Sequence, residues 1–157
     1  MSKILVAYFS AGGNTAKLAQ RVAKAADADL FEIVPRKPYT SADLNWRDKN
    51  SRTTIEMNNP ASRPEVASHV ENMAQYDTIF LGFPIWWYVA PTLINTFLEQ
   101  YDLEGKTIVP FATSGGSGMG QTVTMLKVSA PKATIEAGAV MNMAMDGKIK
   151  KFVEPYL

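Results

Sequence analysis

The sequence predicts an α/β fold in which a parallel β-sheet carries helices on both faces. Two observations support this prediction. Apolar segments with the length of buried strands recur along the chain, and segments with apolar residues at helical spacing lie between them. The chain has 157 residues, enough for a three-layer core, so we expect a single domain over residues 1–157.

The predicted elements alternate from the N-terminus. Strands are expected at residues 3–8, 29–34, 77–83, 107–113 and 133–140, where Gly138 weakens the last strand. Helices are expected at 16–23 and at 62–73, from Pro91 through Leu98, from about Met119, and at 147–154.

Residues 35–64 form a long insertion that is irregular or partly helical. Residues 40–43 have the pattern of a capping box, so a helix through about Arg52 or Met57 is expected. Connections of this length often act as lids or binding loops. Trp46 is expected to pack the insertion against the body of the protein.

The charge, hydropathy and cysteine content of the chain disfavour several classes of protein. With 16 basic and 15 acidic residues, nothing indicates a nucleic-acid partner. No stretch could span a membrane, and the apolar start reads as a strand rather than a signal peptide. The absence of cysteine excludes disulfides, thiolate metal sites and a cysteine nucleophile. It fits a reducing compartment, so we expect a cytoplasmic protein without a metal site.

Three loops, at residues 10–15, 84–91 and 114–120, follow predicted strands. In open parallel sheets, ligands bind at the carboxyl ends of the strands. The first loop leads into a helix, whose free N–H groups and dipole favour an anion such as phosphate. The second loop displays Trp86, Trp87 and Tyr88, and the third offers backbone N–H groups among glycines. Together they predict a flat aromatic ligand that carries a phosphate.

A structural interpretation of these loops is the alternative. The first loop could be a tight turn capped by Asn14, and both tryptophans could pack between helix and sheet. Because side chains alternate along extended backbone, however, at least one of Trp86 and Trp87 is expected to face outward.

Two other catalytic classes are disfavoured. Residues 115–122 approach the P-loop pattern, but Gln121 occupies the position of the required lysine, which disfavours a nucleoside triphosphatase. The only histidine, His69, is expected on the polar side of a helix and exposed to solvent, which disfavours a Ser-His-Asp hydrolase.

At these loops the chain resembles the flavodoxin family. Ser10-Ala11-Gly12-Gly13-Asn14-Thr15 is similar to the phosphate loop that binds flavin mononucleotide (FMN) in flavodoxins. Pro84-Ile85-Trp86-Trp87 and Thr113-Ser114-Gly115-Gly116 are similar to the two loops that hold the isoalloxazine ring. The resemblance runs from the first strand to the last helix. It implies a three-layer, flavodoxin-like fold with a five-stranded parallel sheet in the order 2-1-3-4-5.

The resemblance also implies a cofactor and its contacts. The cofactor would be FMN, with its phosphate held by Ser10, Gly12, Gly13, Asn14, Thr15 and Ala16. Either Trp86 or Trp87 would stack on the flavin ring, in the loop that begins at Pro84 and Ile85. The polar edge of the ring and the ribityl chain would be hydrogen-bonded by Thr113, Ser114, Gly115, Gly116 and Ser117. The second loop has no glycine from Phe83 to Ala90, so backbone with positive φ is expected to be costly there.

Three functions remain open at this point. An electron carrier would exchange electrons with a redox partner protein, and the small size and lack of an obvious nicotinamide site favour it. A flavin-dependent reductase would pass hydride from NAD(P)H to a quinone-like small molecule. The near-neutral charge favours the reductase. The third loop also favours it, because it contains glycine and serine where flavodoxins often place a tyrosine over the ring. A non-catalytic ligand-binding module is the third possibility.

Overall fold

The protein, described here by a computed structural model over residues 3–142 and 144–157, is built on a parallel sheet. The strands are β1 (Lys3–Tyr8), β2 (Asp29–Glu32), β3 (Tyr76–Pro84), β4 (Thr107–Thr113), β5 (Thr134–Ile135) and β6 (Ala139–Val140). The helices are α1 (Asn14–Ala26), α2 (Arg52–Met57), α3 (Thr92–Glu99), α4 (Thr122–Ser129) and α5 (Asp146–Val153). The strand order is β2-β1-β3-β4-β5, and each pairing between these strands is parallel, which confirms the predicted topology.

Side chains alternate between the two faces of the sheet, and helices cover both faces. On β1, Leu5 and Ala7 enter one hydrophobic cluster while Val6 and Tyr8 enter another. The first cluster includes buried residues of α3 and α4, and the second includes those of α1 and α5. The architecture therefore has three layers, and the central strands β1, β3 and β4 end beside one another.

The fifth predicted strand is interrupted. Both β5 and β6 pair with β4, Thr134 opposite Thr107 and Ala139 opposite Phe111. Between them Gly138 has φ of +65° and lies so close to the carbonyl of Pro110 that a side chain would not fit. The prediction of one continuous strand over 133–140 was therefore wrong, and Gly138 marks the break.

Four predicted helices are confirmed with small shifts at their ends. Helix α1 begins at Asn14 and α3 follows directly after Pro91, while α5 starts at Asp146. Helix α4 begins later than the predicted Met119, because Gly120 adopts φ of +53° and delays the helical turn. Among the described residues, no helix has the length and apolar character needed to cross a membrane.

The helix predicted over 62–73 is wrong. This segment is extended alongside β2: the Ala67 amide donates to the Val34 carbonyl at 2.7 Å, and Val66 forms a bridge with Pro35. Only a single 3₁₀ turn, Met73–Gln75, follows. Val66 and Val70 are four positions apart, so they would share one face of a helix. Because that separation is an even number of positions, they would also share one face of a strand. Pairing with the backbone of residues 34–36, just beyond β2, selects the extended form.

The insertion folds into turns and one short helix. The predicted capping box forms, since the Thr40 amide donates to Asp43 Oδ2 at 3.0 Å and the Asp43 amide to Thr40 Oγ1 at 3.1 Å. It starts only a turn, however, and the helix of the insertion begins at Arg52 with Ser51 as its cap.

β2 is shorter than predicted, because it ends at Glu32 and not at Val34.

Candidate functional site

The three predicted loops meet at one edge of the sheet. They follow β1, β3 and β4, and β3 lies between the other two strands in the sheet. The backbone links them: the Phe9 amide donates to the Gly82 carbonyl at 2.9 Å, and the Ile85 amide donates to the Thr113 carbonyl at 2.8 Å. The edge thus brings together the ends of all three loops, as the sequence predicted.

The first loop presents backbone N–H groups at the start of α1. Ser10 Oγ accepts from the amides of Gly13 and Ala16, each at 3.1 Å. Within residues 3–142 and 144–157, the amides of Asn14 and Thr15 donate no hydrogen bond, as expected for the first turn of a helix. These N–H groups lie at the positive end of the helix dipole and can bind an anion. The cap is thus supplied by Ser10, not by Asn14 as the structural interpretation required.

Both glycines of the first loop leave open space. A Cβ atom added to Gly12 or Gly13 would find no heavy atom within 4 Å, apart from its immediate chain neighbours. Gly13 has φ of +91°, a conformation that other residues rarely adopt. The loop therefore keeps its backbone accessible at the point where the free N–H groups lie.

A part-buried pair of hydroxyls joins the first loop to the end of β4. Thr15 is 2% exposed, and its Oγ1 lies 2.8 Å from Oγ1 of Thr113. Thr113 is also the residue that pairs with Pro84 at the end of β3. The start of α1 and the bases of the second and third loops are therefore held in one arrangement.

The second loop contains a tight turn with an unusual backbone. The amides and carbonyls of Trp86 and Val89 exchange hydrogen bonds at 2.9 and 3.2 Å, and Trp87 and Tyr88 between them have φ of +49° and +66°. This is the pattern of a type I′ turn, which normally uses asparagine or glycine. The sequence predicted that positive φ would be costly in this loop without glycine, and the turn nevertheless adopts it at two consecutive residues.

Contacts with the third loop explain how this turn is held. The Gln121 amide donates to the Tyr88 carbonyl at 3.1 Å, and Gly120 lies directly against the same carbonyl. A side chain at Gly120 would collide with it. Left-handed backbone costs about 1–2 kcal/mol per non-glycine residue, and surrounding structure must offset that cost.

The two tryptophans occupy different environments, as their alternation predicted. Trp86 is half-buried, with its ring edge-on to Phe9 at 5.6 Å and to Tyr39 at 5.3 Å between centroids. Trp87 is 37% exposed. Trp86 is thus a packed member of an aromatic cluster, whereas the Trp87 ring is available for a ligand.

Ser114 organises the third loop. Its Oγ accepts from the Ser117 amide at 2.9 Å and from the Gly116 amide at 3.2 Å. The Ser114 amide donates to Asn142 Oδ1 at 2.8 Å, and Asn142 Nδ2 donates back to the Ser114 carbonyl. Asn142 follows β6, so it lies at the same sheet edge. Sequence reasoning missed it, although its place after a strand was a usable signal.

A cavity of about 460 Å³ lies between the second and third loops. Its lining combines aromatic side chains with the small residues of the third loop: Trp46, Ile85, Trp86, Trp87, Tyr88, Ser114, Gly115, Gly116 and Ser117. We call it the aromatic cavity. Gly115 and Gly116 contribute only backbone to its wall, and a Cβ atom added at either position would find no heavy atom within 4 Å apart from its chain neighbours. Its shape and chemistry suit a flat ring with polar atoms on one edge.

A second cavity of about 510 Å³ adjoins the start of α1. We call it the basic cavity because Lys17 and Arg21 line it, together with Asn14, Thr113, Ser114 and Asn142. Arg21 is engaged there, since it donates to Asp146 Oδ1 at 2.7 Å and to the Ala144 carbonyl at 2.6 Å. Asn14 lies on the first loop and Ser114 lines both cavities, so the basic cavity lies beside both the start of α1 and the aromatic cavity.

Of the two remaining predictions about single residues, one is wrong and one is confirmed. Trp46 does not pack the insertion onto the body: it is 66% exposed and lines the aromatic cavity, so that prediction was wrong. His69 is exposed as predicted, although it lies on an extended segment and stacks on Tyr101 at 5.2 Å. In the described part of the chain, no three histidine, aspartate or glutamate side chains lie close enough together to hold a metal ion.

Two solved structures are similar to this chain in both sequence and fold. A structure described as a candidate flavoprotein from Bacteroides eggerthii has 48% sequence identity and a TM-score of 0.93, with 99% of this chain and 98% of that chain covered. One from Bacteroides uniformis has 46% identity and a TM-score of 0.93, with 98% of each chain covered.

A more distant structure has the same fold. It is a flavoprotein from Lactobacillus acidophilus in complex with FMN, at 24% identity and a TM-score of 0.74, with 97% of this chain and 99% of that chain covered. A family model described as Flavodoxin matches residues 3–156. This chain therefore belongs to the flavodoxin family.

Proposed function

We propose that this protein binds FMN and transfers electrons through the bound flavin. One observation carries the proposal: a set of free backbone N–H groups and the aromatic cavity lie at the same edge of the sheet, joined through Thr15, Thr113 and Ser114. That arrangement matches a ligand with an anionic tail and a flat ring. The FMN bound by the flavoprotein from Lactobacillus acidophilus, which has the same fold, supports this choice.

The residues present fit FMN. The amides of Asn14 and Thr15 would hold the phosphate, because they are free within the described chain and lie beside two unobstructed glycines. Trp87 would stack on the ring, since Trp86 is already packed against an aromatic cluster. The third loop would hydrogen-bond the polar edge of the ring through the Gly115 amide, because the other amides of residues 114–117 already donate within the protein.

FMN, when bound, supplies the redox chemistry, and the protein contributes binding, orientation and electrostatics. The first loop provides N–H dipoles rather than a fixed cation to balance the phosphate. The aromatic cavity excludes water from part of the ring and leaves the remainder accessible, since Trp87 and Tyr88 are both partly exposed. Such access is what an electron donor or acceptor requires.

The test is a ligand titration. We expect mass spectrometry of the ligand released from purified protein to detect FMN. In fluorescence titrations of the apoprotein, FMN should bind at least about tenfold more tightly than riboflavin, since riboflavin lacks the charge-assisted phosphate contacts. Equal affinity for the two flavins would remove the proposed role of the first loop, and tighter binding of flavin adenine dinucleotide would contradict the choice of cofactor.

A second candidate function is an NAD(P)H-dependent reductase of quinone-like small molecules. The open third loop favours it, because Gly115 and Gly116 place no side chain over the aromatic cavity. Steady-state assays with NADH and NADPH, with and without a quinone, distinguish the two. Turnover would favour the reductase, whereas electron exchange only with a redox partner protein would favour the carrier.

A further inference from the structure

Among residues 35–64, all of which the structure describes, Trp46 is the one that lines the aromatic cavity. It leaves about two thirds of its surface to solvent, with an exposure of 66%. The guanidinium of Arg47 lies over its ring, 5.1 Å from the centroid. Trp87 and Tyr88, which line the same cavity, are exposed as well, and a group of exposed aromatic side chains around a cavity indicates an interaction surface.

The turn that carries Trp46 is anchored on both sides. Thr53 Oγ1 donates to the Asp43 carbonyl at 2.7 Å, and Thr54 Oγ1 donates to the Asp48 carbonyl at 2.9 Å. Both threonines are buried, at 2% and 6% exposure. Within the turn, the Asp48 amide donates to the Asn45 carbonyl at 3.1 Å. The backbone around Trp46 is therefore fixed, although its ring is exposed.

The insertion is in turn fixed to the second loop through an aromatic and ionic cluster. Tyr39 stands edge-on to Trp86 and donates to Glu56 Oε1 at 2.6 Å. The guanidinium of Arg52 lies 3.8 Å from the centroid of the Tyr39 ring, and its Nε donates to Glu56 at 2.8 Å. Burial and the bond to Glu56 raise the pKa of Tyr39 above its ordinary value. Trp46 thus keeps a defined position relative to the aromatic cavity.

We propose that Trp46 is a specificity-determining residue that stacks on the ring of a second planar molecule, an aromatic electron acceptor of the quinone class, held in the aromatic cavity beside the flavin. The inference rests on the proposed function, because it assigns Trp87 to the flavin and Trp46 to the acceptor. The size and π surface of an indole suit a fused aromatic ring. The Arg47 guanidinium beside it favours a ligand with electronegative oxygens.

The experiment measures binding of 1,4-naphthoquinone-2-sulfonate to the oxidised, FMN-loaded protein by isothermal titration calorimetry. We expect Trp46→Ala to raise the Kd about tenfold, and Trp46→Phe to raise it no more than about threefold, because a phenyl ring keeps part of the stacking surface. Ile55→Ala is the matched control: Ile55 is 59% exposed in the same insertion and does not line the aromatic cavity. It should leave the Kd unchanged.

The FMN affinity of each variant, measured by fluorescence, separates the two claims. We expect it to change by less than about twofold, since Trp46 is assigned to the acceptor. An unchanged quinone Kd in Trp46→Ala would overturn the inference, as would a wild-type protein that binds FMN but not the quinone. Loss of FMN in Trp46→Ala would also overturn it, by placing the indole in the flavin site. A wild-type protein that binds no FMN would instead contradict the proposed function itself.

Discussion

At the scale of single residues, the two adjacent tryptophans have separate tasks. The Trp86 ring fills space between Phe9 and Tyr39, while the Trp87 ring borders the aromatic cavity and remains partly exposed. Alternation on extended backbone predicts that adjacent side chains face different ways, and here the two rings are separated within a tight turn in which Trp87 has positive φ.

Trp87→Ala should therefore weaken FMN binding, whereas Trp86→Ala should mainly destabilise the fold. We expect Trp87→Ala to cost about 1–3 kcal/mol of binding free energy through lost stacking and buried area. Trp86→Ala should lower the free energy of unfolding by about 2–4 kcal/mol, because it leaves a gap in a packed aromatic cluster. Flavin titration and urea unfolding measure the two effects. The reverse pattern would show that Trp86 is the stacking residue.

Gly13 and Gly12 form a matched pair for testing the first loop. Gly13 needs φ of +91°, and Gly12 lies outside the left-handed range. We expect Gly13→Ala to destabilise the apoprotein by about 1–2 kcal/mol through backbone strain, whereas Gly12→Ala should leave its stability within about 0.5 kcal/mol or raise it slightly. Chemical unfolding of the FMN-free protein measures this. Equal effects of the two substitutions would contradict the assigned strain.

At the scale of elements, the bond between Thr15 and Thr113 couples the start of α1 to the end of β4. Thr15→Val should destabilise the protein by about 1–3 kcal/mol, because the hydroxyl of Thr113 then loses its partner in a part-buried site. Adding Thr113→Val should restore part of the loss, since neither side chain then has an unpaired hydroxyl. A double-mutant cycle by urea unfolding measures the coupling. Strictly additive effects would mean that the two hydroxyls act independently.

The sequence was most informative where local pattern and tertiary environment agree. β1 and β4 have the predicted bounds, and β3 lies within a residue of its prediction at each end, because long apolar runs are buried on both faces of a parallel sheet. The positions of the three loops followed from those strand ends. These residues could therefore be placed without any knowledge of distant contacts.

The sequence was least informative where distant contacts decide. The spacing of Val66 and Val70 fits both a helix and a strand, and only pairing with Val34 and Pro35 selects the extended form. The positive φ of Trp87 depends on the third loop, which packs against the turn. The backbone around Trp46 is likewise held by the threonines of α2. No window of neighbouring residues contains this information.

At the scale of the whole molecule, stability at alkaline pH depends on tyrosines that are protonated in the fold. Tyr76 lies at the start of β3 and donates to Asp29 Oδ2 at the start of β2, at 2.7 Å. Burial, and then the bond to Asp29, raise the pKa of Tyr76 from its ordinary 10.0 to about 12. The folded state therefore holds this proton more tightly than the unfolded state does. The stabilisation is complete below pH 10.0 and is lost as the pH rises towards about 12.

Comparison with Tyr76→Phe tests this pH dependence. Below the ordinary pKa, the wild type should be more stable than the variant by a constant amount. That difference should shrink as the pH rises towards the raised value. Ile55→Ala, which shortens an exposed side chain without a titratable group, is the control and should give a curve parallel to the wild type. Urea unfolding across the alkaline range measures all three proteins, and a difference that stays constant for Tyr76→Phe would contradict the assigned shift.

The central claim is that the amides at the start of α1 hold a phosphate and thereby place a flavin ring in the aromatic cavity. The most direct measurement is a crystal structure of the protein with FMN. We expect phosphate oxygens about 3 Å from the amides of Asn14 and Thr15, and the ring against Trp87. A phosphate bound between Lys17 and Arg21 with the ring outside the aromatic cavity would contradict the claim, as would FMN that occupies neither position.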